Sequence, residues 1–317
     1  MTLFNQRYPL GSNTFYQLVR SQAQAALDED IGTGDLTAQL IPASQFVNAT
    51  IVVRETAIIC GIAWATACFK QVDANVSINW FVAEGERVGA NQVLCEITGL
   101  ARSLLTAERC ALNFLQTLSA TATETRKYVD AVAGTQSQIL DTRKTIPNLR
   151  LAQKYAVTVG GGHNQRLALY DGILIKENHI AAAGSISAVM QQAFALNAGV
   201  SIQIEVENLN QLEEALRAGA TNILLDNFST DLLSEAVKLS EAIKLSEAVK
   251  LGEAIKPSEA VKINKLGSKS VILEASGGIT LENVRQVALT GVDRISIGAL
   301  TKNVQAIDLS MRVKIHQ

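Results

Sequence analysis

The stretch DTRKTIPNLR, residues 141–150, sets Asp141, Thr142, Arg143 and Lys144 directly after the short apolar run QSQIL. A connecting loop needs polarity, but it does not need two adjacent cations at the mouth of a strand. Arginine can fork onto a carboxylate through two parallel hydrogen bonds, which lysine cannot do. A second arginine, Arg166 in GGGHNQR, offers the same chemistry. The other apolar runs also end on polar groups. GILIKEN presents Lys176 and Glu177, with Asn178 and His179 following, and SIQIEVE presents Glu205 and Glu207. NILLDN ends on Asp226, VILEASGG on Glu274 and then Ser276, Gly277 and Gly278, and RISIGAL on Gly298. One strand-end carboxylate is often no more than a helix cap. Cations, carboxylates and glycine-bearing turns gathered at one rim ask for a ligand.

Each group suits part of that ligand. SGG and IGA, opening late βα loops, can bring backbone N–H groups to a phosphate, although tight turns alone also call for glycine. Glu205 and Asp226 suit Mg²⁺, a hard cation usually held through one or two carboxylates plus substrate phosphates. Arg143 and Arg166 suit carboxylates. The expected substrates are therefore a phosphorylated, Mg²⁺-bound molecule and a small polyanionic acid.

These residues need a scaffold that brings strand ends together. After Gly134, six apolar runs (QSQIL, GILIKEN, SIQIEVE, TNILLDN, SVILEAS and DRISIGA) alternate with helical segments such as SAVMQQAFALNAG, LNQLEEALRAGA and LENVRQVALTG. Repeated β-then-α of this length means parallel strands joined by crossovers, and ligands then bind at the carboxyl ends of the strands. Six clear strands and room for a seventh fall short of the usual eight. Before Gly134 the pattern differs. A helix is expected from Ser12 or Asn13 through FYQLVRSQAQAAL, followed by the β-branched runs NATIVVRE, TAIICG, VSINWFV and QVLCEIT with the helical IAWATACFKQ among them. That is an α+β unit on a mainly antiparallel sheet. A helix without Pro or Gly follows from Ala101 to about Val132. The final AIDLSMRVKI alternates strictly, with Ile307, Leu309, Met311, Val313 and Ile315 on one face, and is expected to return to the N-terminal sheet.

The predicted fold class is thus α/β, with an N-terminal α+β domain followed by an incomplete TIM-like α/β barrel. The expected boundaries are 1–114 for the first domain, with strand 305–317 returning to it, and 115–304 for the barrel. Residues Leu233 to Lys262 form a hexapeptide repeat, LSEAVK LSEAIK LSEAVK LGEAIK PSEAVK, with Glu and Lys three apart in every unit. It is helix-prone and charge-balanced. A six-residue period smears its apolar positions around a helix, and Pro257 should interrupt it. The repeat reads as an insertion projecting into solvent, whose removal leaves the site unaffected.

Composition sets the class. The chain has 317 residues, 48% apolar and 18% charged, with a net charge of −2. This describes a soluble globular protein and argues against a broad nucleic-acid footprint. Cys60, Cys68, Cys95 and Cys110 form no CxxC pair and read as small buried hydrophobes in a reducing compartment. The first 30 residues lack a cationic start with an apolar core, and no run of 18 apolar residues is free of charge. No membrane association and a cytoplasmic location are expected.

The long block DTRKTIPNLRLAQKYAVTVGGGHNQRLALYDGILIKENHI, with EVEN, LLDN, EASGGI and IGALT in order, closely resembles quinolinate phosphoribosyltransferase. The likeness extends to DIGTGDLT and to TAERCALNFLQ, and so covers nearly the whole chain. The resemblance implies that the first domain is an α+β open sandwich and the second a seven-stranded α/β barrel, which agrees with the strand count. The resemblance implies that quinolinate and phosphoribosyl pyrophosphate react to nicotinate mononucleotide, pyrophosphate and CO₂, a step of NAD biosynthesis. It implies that Arg143, Arg166 and Arg109 hold the quinolinate carboxylates, with Thr142 beside them and Lys144 and Lys176 lining the pocket. Catalytic roles fall to Lys144, Lys176, Glu205 and Asp226. Glu205 and Asp226 would serve Mg²⁺, directly or through the substrate. Ser276, Gly277, Gly278 and Gly298 with its neighbours Ile297 and Ala299 would hold the phosphate. It further implies a homodimer in which Arg109, in the TAER helix, reaches the neighbouring subunit's site. Two positions depart from the family pattern: Gln165, where many relatives have His, and Lys302, where some do.

Two other readings compete. A Schiff-base aldolase or decarboxylase would use Lys144 or Lys176, but leaves the arginines and the GGG region idle. A biotinyl- or lipoyl-type carrier is suggested by the local pattern of VAEGERVGANQVLCEITG, yet no lysine occupies the tip of a following hairpin.

Overall fold

The computed structural model describes residues 8–253 and 271–314. Residues 254–262 of the hexapeptide repeat, with the interruption expected at Pro257, and Ile315 in the final strand lie outside the described residues. Two compact units emerge, and both are discontinuous in sequence: one unites 1–127, 144–164 and 298–317, the other 128–143 and 165–297. The first therefore extends past residue 114 and takes in the stretch after Arg143 as well as the last strand.

In the first unit, α1 (Asn13–Ile31) starts at Ser12, whose hydroxyl accepts from the Phe15 N–H at 3.2 Å, a side-chain N-cap. Strands β1 (Phe46–Val53), β2 (Ala57–Ile58), β3 (Ser77–Trp80), β4 (Arg87–Val88) and β5 (Val93–Leu100) are joined by α2 (Ile62–Val72). The last strand, Leu309–Lys314, runs antiparallel to β1 and completes a four-stranded sheet in the order last strand, β1, β5, β3. Leu309 is buried where Val313 is exposed, so the apolar face of that strand tapers along its length. Helix α3 (Ala101–Ala131) follows β5 as one long element.

Helix α4 (Arg150–Val159) belongs to this core because of Tyr155. Its ring lies 5.5 Å from Phe15 and 5.2 Å from Trp64, centroid to centroid. Gly160, which caps α4, could carry no side chain: a Cβ there would come 2.5 Å from the Ala122 carbonyl of α3. The four cysteines are buried and free.

The second unit holds a six-stranded parallel sheet of β6 (Gln138–Leu140), β7 (Gly172–Ile175), β8 (Ser201–Val206), β9 (Asn222–Asp226), β10 (Ile272–Ser276) and β11 (Arg294–Ser296). Their order is β6-β11-β10-β9-β8-β7, and each neighbouring pair is parallel. All six are runs expected from the sequence. A seventh hydrogen-bonded strand is missing from the sheet among the described residues. Gln165 and Arg166 span the two edges instead. The Gln165 N–H donates to Asp141 Oδ1 beyond β6, and Arg166 Nη1 donates to the Gly172 carbonyl of β7, each at 3.0 Å. Side chains here satisfy groups that a seventh ladder would otherwise pair.

Helices α5 (Glu177–Ala183), α6 (Ile186–Ala195), α7 (Leu209–Arg217), α8 (Thr230–Glu253) and α9 (Val284–Leu289) fill the crossovers. The first part of the repeat lies in α8, and it does bury a stripe: Leu233, Ala236 and Ser240. Positions three and seven apart share a helix face, so the opening of the repeat packs although its period does not match the helix.

Candidate active site

Sheet register builds the rim. In a parallel ladder, paired residues point to the same side, and alternate residues of a strand share a face. Glu205 is paired with Leu224, and Leu224 with Glu274. One step toward the carboxyl ends, Asp226 is paired with Ser276, and Ser276 with Ser296. Ile175 is paired with Ile204, so Lys176 follows level with Glu205. The expected catalytic residues of the second unit therefore leave one face of one sheet at adjacent levels.

Lys176 Nζ meets Glu205 Oε2 at 2.7 Å, with the glutamate side chain 12% exposed and the lysine side chain 43% exposed. A charge-assisted bond this short fixes the ammonium over the strand ends. His179 does not join it, because its Nδ1 accepts from the Lys176 backbone N–H at 3.0 Å and caps the start of α5.

Arg143 and Arg166 form the cationic side. Burial, and then the charge of Arg143, hold the Arg166 guanidinium below its ordinary value. Its buried Nε has no hydrogen-bond partner among the described residues. Two guanidiniums close enough to repel, one with an unsatisfied donor, are prepared for an anion.

Asp226 ends β9 partly exposed, and its Oδ2 accepts from Asn227 Nδ2 at 2.8 Å. Asn227 has φ 56 and donates its backbone N–H to the Ser276 carbonyl at 2.9 Å. That side chain lies against Gly277. Gly277 and Gly278 have φ of 94 and 62, and Asn283 Nδ2 ties the turn by donating to the Gly278 carbonyl at 2.9 Å. Two successive positive φ values leave backbone without side chains beside Asp226, as close approach of a phosphate requires. Ile297 opens the next loop, its N–H donating to the Leu140 carbonyl at 2.9 Å.

Two carboxylates read as rim groups are placed otherwise. Glu274 is fully buried and accepts from Gln203 Nε2 at 2.9 Å. Glu207 is exposed, one residue beyond the end of β8. Gln203 was not singled out from sequence, although it lies two residues before Glu205 and so on its face. Both its donor hydrogens are used, toward Glu274 and toward Asn222 Oδ1 at 3.1 Å, and its Oε1 accepts from Gln165 Nε2 at 2.8 Å. This polar layer under the rim orients Gln165, and with it the backbone of Arg166. Asn227 and Ser296 were likewise missed. The buried Ser296 hydroxyl has no hydrogen-bond partner among the described residues.

Arg109, Lys144, Gly298 and Ala299 belong to the first unit. Arg109 projects from α3 and lines a cavity of about 200 Å³ with Glu29, Asp30, Cys110 and Asn113. Lys144 is exposed, and its carbonyl accepts from the Thr301 hydroxyl at 2.7 Å. Gly298 opens the helical turn α10 (Ala299–Lys302).

Comparison with known proteins decides the family. Residues 35–119 match the model described as "Quinolinate phosphoribosyl transferase, N-terminal domain", and residues 121–312 its C-terminal counterpart. The chain belongs to the quinolinate phosphoribosyltransferase family. It is 41% identical over 288 residues to a probable nicotinate-nucleotide pyrophosphorylase (carboxylating) of Bacillus subtilis, with 90% of each chain covered. It is 37% identical to the nicotinate-nucleotide pyrophosphorylase (carboxylating) of Mycobacterium leprae, covering 95% of this chain and 99% of that one. Among solved structures, the nicotinate-nucleotide pyrophosphorylase of Francisella tularensis superimposes with a TM-score of 0.83 at 39% identity, covering 98% of this chain and 99% of the other. These family members carry the α+β region and the parallel α/β domain expected from the sequence.

Proposed function

We propose that this member of the family transfers the phosphoribosyl group of phosphoribosyl pyrophosphate to quinolinate and decarboxylates the product, giving nicotinate mononucleotide, pyrophosphate and CO₂. The observation that carries this reading is the double character of the rim. Arg143 and Arg166, with an open guanidinium donor, stand on one side, and Asp226 with a glycine turn free of side chains stands on the other.

The arginines bind the two carboxylates of the acid, and Lys144 and Lys176 add charge beside them. Two anions that repel in water are thereby held as neighbours, and the proximity lowers the barrier. The ring nitrogen attacks the anomeric carbon as pyrophosphate departs. Charge develops on the leaving oxygen and positive character on the sugar. Glu205 holds Lys176 in place, and Asp226 stabilises the cationic ribose. Ser276 and the backbone of Gly277, Gly278, Ile297, Gly298 and Ala299 hold the phosphate. Ribosylation leaves the ring nitrogen cationic. When C2 loses CO₂ the bonding electrons stay on C2, where the adjacent positive charge stabilises them, and a proton from solvent then fills C2 to complete nicotinate mononucleotide.

Asp226 and Glu205 would hold Mg²⁺, which when bound supplies charge to the departing pyrophosphate. Both offer hard oxygen donors, and no group of three or more His, Cys, Asp or Glu is placed for a metal ion among the described residues. That donor set fits an ion carried largely by substrate phosphates. Arg109 completes the site of a neighbouring subunit, so the working enzyme is a homodimer. It works in the cytoplasm; no described helix is long and apolar enough to cross a membrane.

The Schiff-base reading is disfavoured at Lys176 by one contact, and at Lys144 it still leaves the arginines idle. It needs a neutral amine, and Lys176 is instead engaged with Glu205 at 2.7 Å. Incubating the protein with quinolinate, phosphoribosyl pyrophosphate and Mg²⁺ should release CO₂ and nicotinate mononucleotide in equal amounts. Folded protein that releases neither refutes the proposal.

A further inference from the structure

Two loops with separate tasks in the proposed reaction are stitched together by side chains that have no task in it. Gln153 of α4 is fully buried. Its Oε1 accepts from the Ile146 N–H at 2.8 Å, and its Nε2 donates to the Thr301 carbonyl at 2.7 Å. Thr301 is also fully buried, and its hydroxyl donates to the Lys144 carbonyl at 2.7 Å. The backbone at 144 and 146 is thus bonded, directly and through one amide, to both ends of a single residue in the turn that begins at Gly298.

The polarity of this brace is fixed. The amide oxygen faces an N–H and the amide nitrogen faces a carbonyl, so a flipped amide would set donor against donor and acceptor against acceptor. Gln153 and Thr301 are themselves fully buried, and a buried polar side chain left without a partner is costly. The loop bearing Lys144 and the turn bearing Gly298 and Ala299 therefore have one favourable relative position.

We propose that Gln153 and Thr301 are positioning residues for the phosphoribosyl transfer. They hold the backbone of Lys144 in register with the Gly298–Ala299 turn, so that the cation beside the acid and the backbone donors around the phosphate keep one separation. The inference rests on the roles given above to Lys144 and Gly298.

Thr301→Val keeps the shape and removes the donor, and Thr301→Ser keeps the donor. With turnover expressed per folded protein, Thr301→Val should lower kcat/KM for quinolinate by roughly ten- to a hundredfold, as sub-ångström misplacement of a binding group does. Thr301→Ser should restore most of it. On a Lys144→Ala background Thr301→Val should cost little more, since it acts through that residue. Amide exchange at Ile146 should quicken in Gln153→Leu, a readout independent of turnover. Wild-type kinetics in Thr301→Val, or an undiminished effect on the Lys144→Ala background, overturns the proposal. So does unaltered exchange at Ile146. Absence of turnover in the wild-type protein refutes the catalytic reading instead, and leaves the exchange measurement to judge the brace.

Discussion

Substituting the two glycines of the EASGG turn separates strain from collision. Gly277 and Gly278 both have positive φ, at 94 and 62, so alanine at either site meets the left-handed penalty of about 1–2 kcal/mol. Their surroundings differ. A Cβ on Gly278 has nothing within 4 Å, so Gly278→Ala should cost that penalty and no more. A Cβ on Gly277 would overlap the Asn227 side-chain oxygen outright, and would lie 2.7 Å from its Cγ and 3.1 Å from its backbone nitrogen. Rotating the Asn227 side chain away breaks its bond to Asp226 and still leaves the backbone contact. Overpacking of this kind adds about 1–3 kcal/mol, which brings Gly277→Ala to about 2–5 kcal/mol. Because the disturbed groups adjoin Asp226, the loss should also appear as a raised KM for phosphoribosyl pyrophosphate, with the KM for quinolinate changed far less. Denaturation midpoints and two-substrate kinetics on the pair measure both effects. Equal stability and equal donor KM in the two variants would refute the argument from close approach.

Arg143→Ala should weaken quinolinate binding by about 2 kcal/mol, or about thirtyfold, for loss of charged hydrogen bonds; calorimetry with the acid alone reads it, and unchanged affinity removes Arg143 from the site. Glu205→Gln keeps the shape but releases Lys176, and should lower kcat by at least about tenfold. Because the lysine side chain is 43% exposed, the stability change should stay under about 1 kcal/mol. Asp35 accepts from the Ala38 N–H at 2.9 Å and the Thr106 hydroxyl at 2.8 Å, and these bonds, the backbone one first, hold its carboxyl below the ordinary 3.8. A lowered carboxyl stabilises the fold above its ordinary value and loses that contribution as pH falls through the folded value. Asp35→Asn should thus melt earlier than wild type near neutral pH, with the gap closing below pH 3.8; a gap independent of pH contradicts this.

Much of this molecule is legible in its sequence because its elements obey local rules. The six parallel strands are short apolar runs between helical segments, and the rim residues are the polar groups that end those runs. What escaped notice depends on contacts remote in the chain. Nothing local marks α4 as part of the first unit; Tyr155 makes it so by meeting Phe15 and Trp64. Glu274 has the same strand-end signature as Asp226, yet it is fully buried and pairs with Gln203. Glu205 stands at the same level of the sheet as Glu274 and stays partly exposed against Lys176, so what sets the two carboxylates apart is the partner each meets, which alternation alone does not reveal. Gln153 and Thr301 read as ordinary helix and turn residues until their partners at 144 and 146 are seen.

The strand Leu309–Lys314 carries a cost in time. It lies against β1, yet the ribosome makes it after everything else described. While the chain emerges, β1 has β5 on one side and a bare row of amides and carbonyls on the other, an invitation to pair with another nascent chain. The first unit reaches its finished form only once Leu309–Lys314 has been made, and truncation before Leu309 should yield aggregation rather than a smaller working enzyme.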